Sequence, residues 1–254
     1  MPMKNKILVL SDIDSSTKGI LTNALNLAKI VAGEVTLFCV KRPTDIVEND
    51  SQLSAMRIIN EKFLEIENKI KSVISVLSND EKIRISHKIS FGNLKDEISK
   101  QIKATKPDII VLGKHKSKIF SFLGDNIIDF VLKEFAGTVM ITSDKITVKA
   151  DSELSLGLLN ENKNLPKNRF KKTLVSFALK PLKSFQIHNN NAFKNEEDNP
   201  EEIIEYIFEK GDNALKNIDN YLVKNKIQLL FVPREKNKIG NLANHINCSL
   251  MLTN

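Results

Sequence analysis

Short apolar runs alternate with amphipathic helical segments along this chain, and this alternation restricts the fold more than any other feature. Ile7–Leu10 is a continuous apolar run, which is typical of a strand buried on both faces. Apolar residues then recur at helical spacing from Ile20 to Val31, and Gly33 is expected to end that helix. Val35–Val40 is a second buried strand. A strand, a helix and another strand in this order predict a parallel βαβ unit.

The same alternation continues to about residue 143. The spacing of apolar residues predicts a long helix over Gln52–Leu77, whose stripe fits either a helix packed along a sheet or a coiled-coil seam. Further strands are expected at 83–91, 109–112 and 139–141, with helices beginning near Leu94 and Ile127. The first part of the chain is therefore predicted to have the order β-α-β-α-β-α-β-α-β.

The pattern restarts after a polar stretch at 144–153, which we interpret as a linker. Gly92 and Gly211 each follow a predicted strand, begin a helix and precede the next buried strand by a similar distance, which indicates an internal repeat. The second copy lacks a counterpart of the long helix. We expect an α/β fold of two tandem parallel-sheet domains, residues 1–145 and a smaller domain at 152–254. Strands of the second copy are predicted at 154–159, 185–188, 203–208, 228–232 and 249–252.

Charge and cysteine usage exclude several classes of protein. The net charge is +7, but its densest basic cluster, at 163–172, contains no motif that reads nucleic acid, so we expect no nucleic-acid partner. Cys39 and Cys248 lie within apolar runs and are interpreted as buried thiols in a reducing compartment. No apolar run approaches the roughly 18–20 residues of a membrane span and no secretory signal is recognised. We expect a cytoplasmic protein with no membrane partner.

Residues with catalytic potential are scattered. The four histidines have no metal-ligand spacing, and no nucleophile elbow, CxxC or Walker motif occurs, so we predict neither a catalytic residue nor a metal site. His87 alternates with apolar strand residues and is interpreted as structural. His115 follows the fourth strand, where α/β folds place ligands. Asp12 and Asp14 follow the first strand, where they either contribute to a site or shape the turn and cap the helix.

Four segments resemble the universal stress protein family. Ile7–Asp12, followed by a serine-rich turn and an alanine-containing helix, resembles the opening of that family, and Gly33–Val40 is similar to its second strand. Gly92 with Pro107–Gly113 is similar to the family segment that ends in "DLIVMG". Phe122–Asn126 resembles the "LGS" segment that opens the last helix. The resemblance covers residues 5–143 and reaches the second half only through element order.

The resemblance implies a Rossmann-like or flavodoxin-like sheet, related to the adenine nucleotide alpha hydrolases, and a site for ATP. ATP-binding members carry a G-x2-G-x9-G-[ST] loop, whose backbone amides approach phosphates. Here Lys116 replaces the second glycine, Gly124 follows Gly113 by 11 positions instead of 13, and Asp125 replaces the final hydroxyl. We therefore expect no cofactor, and ATP remains a possible ligand only with a damaged phosphate loop. By resemblance, Asp12 and Val40 would contact the adenosine part of the ligand. The other candidate ligand-binding residues are Gly113, His115, Ser117 and Gly124.

Two classes of function stay open at this stage. The first is a non-enzymatic stress-response or signalling protein that acts through protein contacts or a weakly bound small ligand. The second is an adenine-nucleotide-binding protein or ATP hydrolase of the same superfamily. We also expect strands 139–142 and 249–252 to meet, so that one chain forms an intramolecular pseudo-dimer, with an unknown protein partner and a further homodimer as additional contacts.

Overall fold

The computed structural model describes residues 4–42, 52–77, 83–114, 127–143, 145–150, 154–160, 169–188, 203–234 and 239–253. These residues contain ten strands and seven helices. The first half consists of β1 Asn5–Leu10, α1 Thr17–Val31, β2 Gly33–Lys41, α2 Gln52–Leu77, β3 Ile85–Phe91, α3 Leu94–Thr105, β4 Ile109–Gly113, α4 Ile127–Glu134 and β5 Thr138–Thr142. The second half consists of β6 Leu156–Leu159, α5 Arg169–Ser176, β7 Leu182–His188, β8 Ile203–Glu209, α6 Ala214–Lys224, β9 Leu229–Pro233, α7 Ile239–His245 and β10 Ser249–Thr253.

All ten strands form one sheet in the order β3-β2-β1-β4-β5-β10-β9-β6-β7-β8. Every neighbouring pair is parallel except β5 and β10, which are antiparallel. The strand order of the second half is therefore that of the first half in reverse, as two copies joined about an approximate twofold axis require. The expected α/β parallel-sheet fold is confirmed. The expected contact between 139–142 and 249–252 is confirmed as well, since Met140 pairs with Met251 at this seam.

Helices cover the sheet in two layers. The first side, called here the α1 face, packs against α1, α2 and α5. The opposite side, the α3 face, packs against α3, α4, α6 and α7. The long helix α2 packs on β3 and α1. Its apolar stripe therefore lies along a sheet, which is one of the two arrangements expected from the sequence. Ile66 and Ile70 of that stripe are buried.

One local expectation is wrong, and one short helix was not expected. Ala32 ends α1 in the left-handed conformation with φ 52°, whereas Gly33 already begins β2. Gly33 meets a different requirement, because a Cβ there would lie 3.0 Å from the carbonyl oxygen of Asn5. The short helix α7 had no sequence prediction. Its seven residues contain only one turn of apolar spacing, which is too short a pattern to distinguish from a loop.

The polar stretch between the halves is held against α1 at residues 145–150. Val148 is fully buried, whereas the sequence predicted only a polar linker here. Its amide donates to Oδ1 of Asn23 (2.8 Å), and its carbonyl oxygen accepts from Nδ2 of Asn26 (2.7 Å). A buried backbone group needs a hydrogen-bond partner, and these two asparagines supply both. The placement of a domain boundary between 145 and 152 stays a prediction.

Candidate functional site

The carboxyl ends of β1, β2 and β4 lie side by side and form the edge at which the sequence placed a ligand. Leu10 of β1 is the register partner of Phe38 in β2 and of Leu112 in β4. Asp12, Val40 and Gly113 follow these three residues by one or two positions, so the structure brings them to one edge. Open α/β sheets bind ligands at this edge. His115, Ser117 and Gly124 lie outside the described residues.

Asp12 is buried at this edge beneath a lysine. Asp12 is 6% exposed. Its backbone carbonyl oxygen accepts a 2.7 Å hydrogen bond from Nζ of Lys41. Cys39 is buried beside this pair. Burial raises the pKa of its thiol to about 12, with Lys41 lowering it and Asp12 raising it to smaller extents. The thiol is therefore protonated near neutral pH and is a poor nucleophile.

The turn after β1 is shaped by Asp14, which is one of the two roles considered from the sequence. Its Oδ1 accepts from both the amide (2.9 Å) and the hydroxyl (2.6 Å) of Ser16. The hydroxyl of Thr17 accepts from the amide of Asp14 (2.9 Å) and contacts that of Ser11 (2.8 Å). Ser16 occupies the N-cap position of α1 but makes no side-chain capping bond. Asp14 therefore orders the chain that leads from Asp12 into α1.

The loop after β4 begins with groups that are already bonded to protein. The amide of Lys114 donates to the carbonyl oxygen of Thr142 (3.2 Å) in the neighbouring strand. Its ammonium donates to the carbonyl oxygens of Ile246 and Cys248 (2.5 Å to the latter), across the seam. At the start of the loop, Lys114 is therefore bonded to protein through both its amide and its ammonium group.

Comparisons with known proteins decide the family. A model described as the universal stress protein family matches residues 3–143, which is more than half of the 254 residues. The chain belongs to the universal stress protein family. No match is found among curated proteins.

Solved structures extend the likeness to the fold of the whole chain. A universal stress protein from Archaeoglobus fulgidus DSM 4304 aligns with a TM-score of 0.71 at 16% identity, over 98% of this chain and 96% of that one. A functionally unknown protein from Pseudomonas aeruginosa PAO1 aligns with a TM-score of 0.59 at 11% identity, over 98% and 92%. At these identities the likeness concerns the fold. The likeness in fold therefore covers both halves of this universal stress protein.

The equivalent edge of the second half carries different residues at its described positions. The strand register makes Asn160 the counterpart of Ser11 and Pro233 the counterpart of Gly113. Oδ1 of Asn160 accepts from the amide of Ile187 (2.8 Å), and Pro233 has no amide hydrogen to offer. Arg234, the counterpart of Lys114, donates to the carbonyl oxygens of Leu132 (2.6 Å), Gly137 (2.8 Å) and Phe135.

Sequence reasoning missed the roles of Lys114 and Arg234 as cross-seam donors. The available signal was positional, because a basic residue directly follows the fourth strand of each repeat. Neither residue could be assigned a partner from that position alone.

The described part of the chain contains no cluster of three histidine, cysteine or acidic side chains arranged to hold a metal ion. No helix among the described residues is long and apolar enough to cross a membrane.

Proposed function

We propose that this universal stress protein is a non-catalytic stress-response or signalling module of the cytoplasm, which binds the adenosine part of a small ligand weakly at the first carboxyl edge. The supporting observation is a difference between the adenosine side and the phosphate side of the site. On the adenosine side, Val40 lies near the end of β2 and Asp12 follows the end of the neighbouring strand β1. On the phosphate side, the amide and the ammonium of Lys114 are bonded to other parts of the chain.

The energetic consequence is that phosphates would contribute little to affinity. A hydrogen bond to a charged group is worth about 1.5–3 kcal/mol, so the loss of one such contact lowers affinity by roughly 10- to 150-fold, and the loss of two lowers it further. A loop with all its donors directed at phosphates would instead favour Mg-ATP strongly over adenosine. The alternative function, an adenine-nucleotide-binding protein or ATP hydrolase, requires that preference.

Titration calorimetry on the full chain separates the two functions. We expect adenosine and Mg-ATP to bind with similar, weak affinities, within about tenfold of one another. Gly113→Val, which places a side chain at the edge, weakens both. Pro233→Val changes the equivalent position of the second half and leaves both unchanged.

Two outcomes contradict the proposal. Binding of Mg-ATP at least about 100-fold tighter than adenosine would indicate a working phosphate loop. Release of inorganic phosphate from Mg-ATP, lost in Gly113→Val and kept in Pro233→Val, would indicate an ATP hydrolase.

A further inference from the structure

The two outer strands of the sheet, β3 and β8, occupy equivalent places but differ in the residues that they expose. The strand pairings define the equivalence, because Ile85 pairs with Val35 of β2 as Ile203 pairs with Leu182 of β7. The residues that β3 places on the α3 face are polar, whereas those of β8 are apolar or aromatic. In register order they are Ser86, Lys88 and Ser90 in β3, and Ile204, Tyr206 and Phe208 in β8.

The β3 edge carries the side chains that proteins use to discourage pairing between sheets. Ser86 and Lys88 are exposed along it. Nζ of Lys88 bonds to Oε1 of Gln101 (2.8 Å) and lies 5.9 Å from the ring centroid of Phe38. A lysine on an edge strand makes the approach of another strand unfavourable, because its charge would have to be desolvated.

The β8 edge lacks such protection on the α3 face. Ile204 is 43% exposed there, and Ile207 is 53% exposed on the α1 face. Within the part of the chain that the structure describes, β8 is the last strand and has no neighbour on its outer side. A seven-residue edge strand with exposed β-branched residues on both faces is a template for a further strand.

We propose that β8 pairs antiparallel with β8 of a second copy of this chain, with Tyr206 opposite its own symmetry mate. This register places Ile204 opposite Phe208 on the α3 face. On the α1 face it places Glu205 opposite Ile207. The two neighbouring symmetric registers instead oppose acidic residues, either Glu205 with itself or Glu205 with Glu209, and like charges directly opposite one another are destabilising.

The chain already contains one junction of this kind. At the seam, β5 and β10 join two parallel blocks of strands through an antiparallel pair, with Ile141 opposite Leu250 and Val139 opposite Leu252. A β8–β8 pair repeats that arrangement between molecules and closes under a twofold axis. Because a single strand pair buries little surface, the dissociation constant is expected to be on the order of micromolar or weaker.

Sedimentation analysis of the full chain over a range of concentrations tests the proposal through three matched substitutions. Wild type is expected to show a reversible monomer–dimer equilibrium. Ile204→Lys places a charge opposite Phe208 and weakens the dimer by about tenfold or more, whereas Ile207→Lys places it opposite Glu205 and retains the dimer. Ser86→Lys, at the position of β3 equivalent to Ile204, leaves the equilibrium unchanged.

Cross-linking tests the register without relying on affinity. Tyr206→Cys would bring two cysteines opposite one another across the twofold axis, at a separation that a disulfide spans, and is expected to form a covalent dimer under mild oxidation. Lys88→Cys at the equivalent position of β3 remains monomeric. Circular dichroism confirms that each variant is folded before it is compared.

Three results would overturn the proposal. The first is a wild-type chain that stays monomeric at the highest concentration measured. The second is an equal loss of the dimer in Ile204→Lys and Ile207→Lys, which would exclude this register. The third is equal cross-linking of Tyr206→Cys and Lys88→Cys, which would indicate random collision.

Discussion

The α1 faces of β2–β3 and of β7–β8 are equivalent surfaces with opposite polarity. In the first half this surface carries Leu37 and Cys39 together with Ile85 and Ile89, and α2 covers it. In the second half the positions equivalent to Leu37 and Cys39 are Ser184 and Gln186. No described helix is the counterpart of α2 there. Ser184 is nevertheless 2% exposed, so at this position the two halves differ in polarity and not in burial.

The second half concentrates its apolar residues on the α3 face instead. Phe185 lies 5.7 Å from Tyr206 and 5.6 Å from Tyr221 between ring centroids, and Tyr206 lies 4.4 Å from Tyr221. Aromatic pairs at these separations are worth about 0.5–1.5 kcal/mol beyond the area that they bury. The comparison teaches that an outer pair of strands can be stabilised by packing on either face of the sheet. The alternating apolar residues of the pair must then point to the face that is covered.

Exchanging the polarity of the covered surface tests this comparison most strongly. Leu37→Ser gives the covered surface the residue found at the equivalent position of the second half. It is expected to lower the free energy of unfolding by about 3–5 kcal/mol, because it leaves a cavity and a buried hydroxyl. Ser184→Ala loses only a 3.1 Å bond from Nε2 of Gln186 and costs about 1 kcal/mol or less. Urea unfolding measures both, and equal losses would show that the two surfaces are not used differently.

The two basic residues that cross the seam offer a second comparison between the halves. Arg234 donates to three carbonyl oxygens and Lys114 to two. We expect Arg234→Met to lower the free energy of unfolding by about 2–3 kcal/mol and Lys114→Met by about 1–2 kcal/mol, since both side chains are partly exposed. Thermal unfolding measures the difference. Lys133→Met, an exposed lysine of α4, serves as the control, and a loss as large as that of Arg234→Met would refute a specific role for the seam.

A buried cation distinguishes α5 from α1, whose described buried residues carry no charge. Lys171 is 8% exposed with Nζ 5.5 Å from the ring centroid of Phe231, and burial lowers its pKa from 10.5 to about 8. The unfolded chain therefore binds this proton more readily than the folded one. Stability should fall as pH falls from about 10.5 to about 8 and stay at its lower value below that.

Lys171→Met should remove that dependence and raise the free energy of unfolding at pH 7 by about 1–2 kcal/mol. Urea unfolding at pH 7 and at pH 10 measures both effects. The exposed neighbour Lys172, changed to methionine, is expected to alter neither. A Lys171→Met variant that is less stable than wild type at pH 7 would contradict this account of the buried amine.

Much of the fold was predictable because its signals are local. The bounds of α2 and the order of nearly all strands follow from the spacing of apolar residues over a few turns or a few strand residues. The candidate edge was predictable in part, since Asp12, Val40 and Gly113 follow strands that the pattern located. The partner of Lys114 was not, because its acceptors lie 132 and 134 residues away in the chain.

The sequence by itself determined the internal repeat, the family and the order of the strands and of every described helix except α7, because each is encoded in short-range periodicity and motifs. Only the tertiary structure decided that Lys114 and Arg234 bond across the seam and that β8 exposes an apolar edge. These features depend on which backbone groups pass near a side chain after folding. Two segments can have the same local pattern and still differ in their neighbours, as β3 and β8 do.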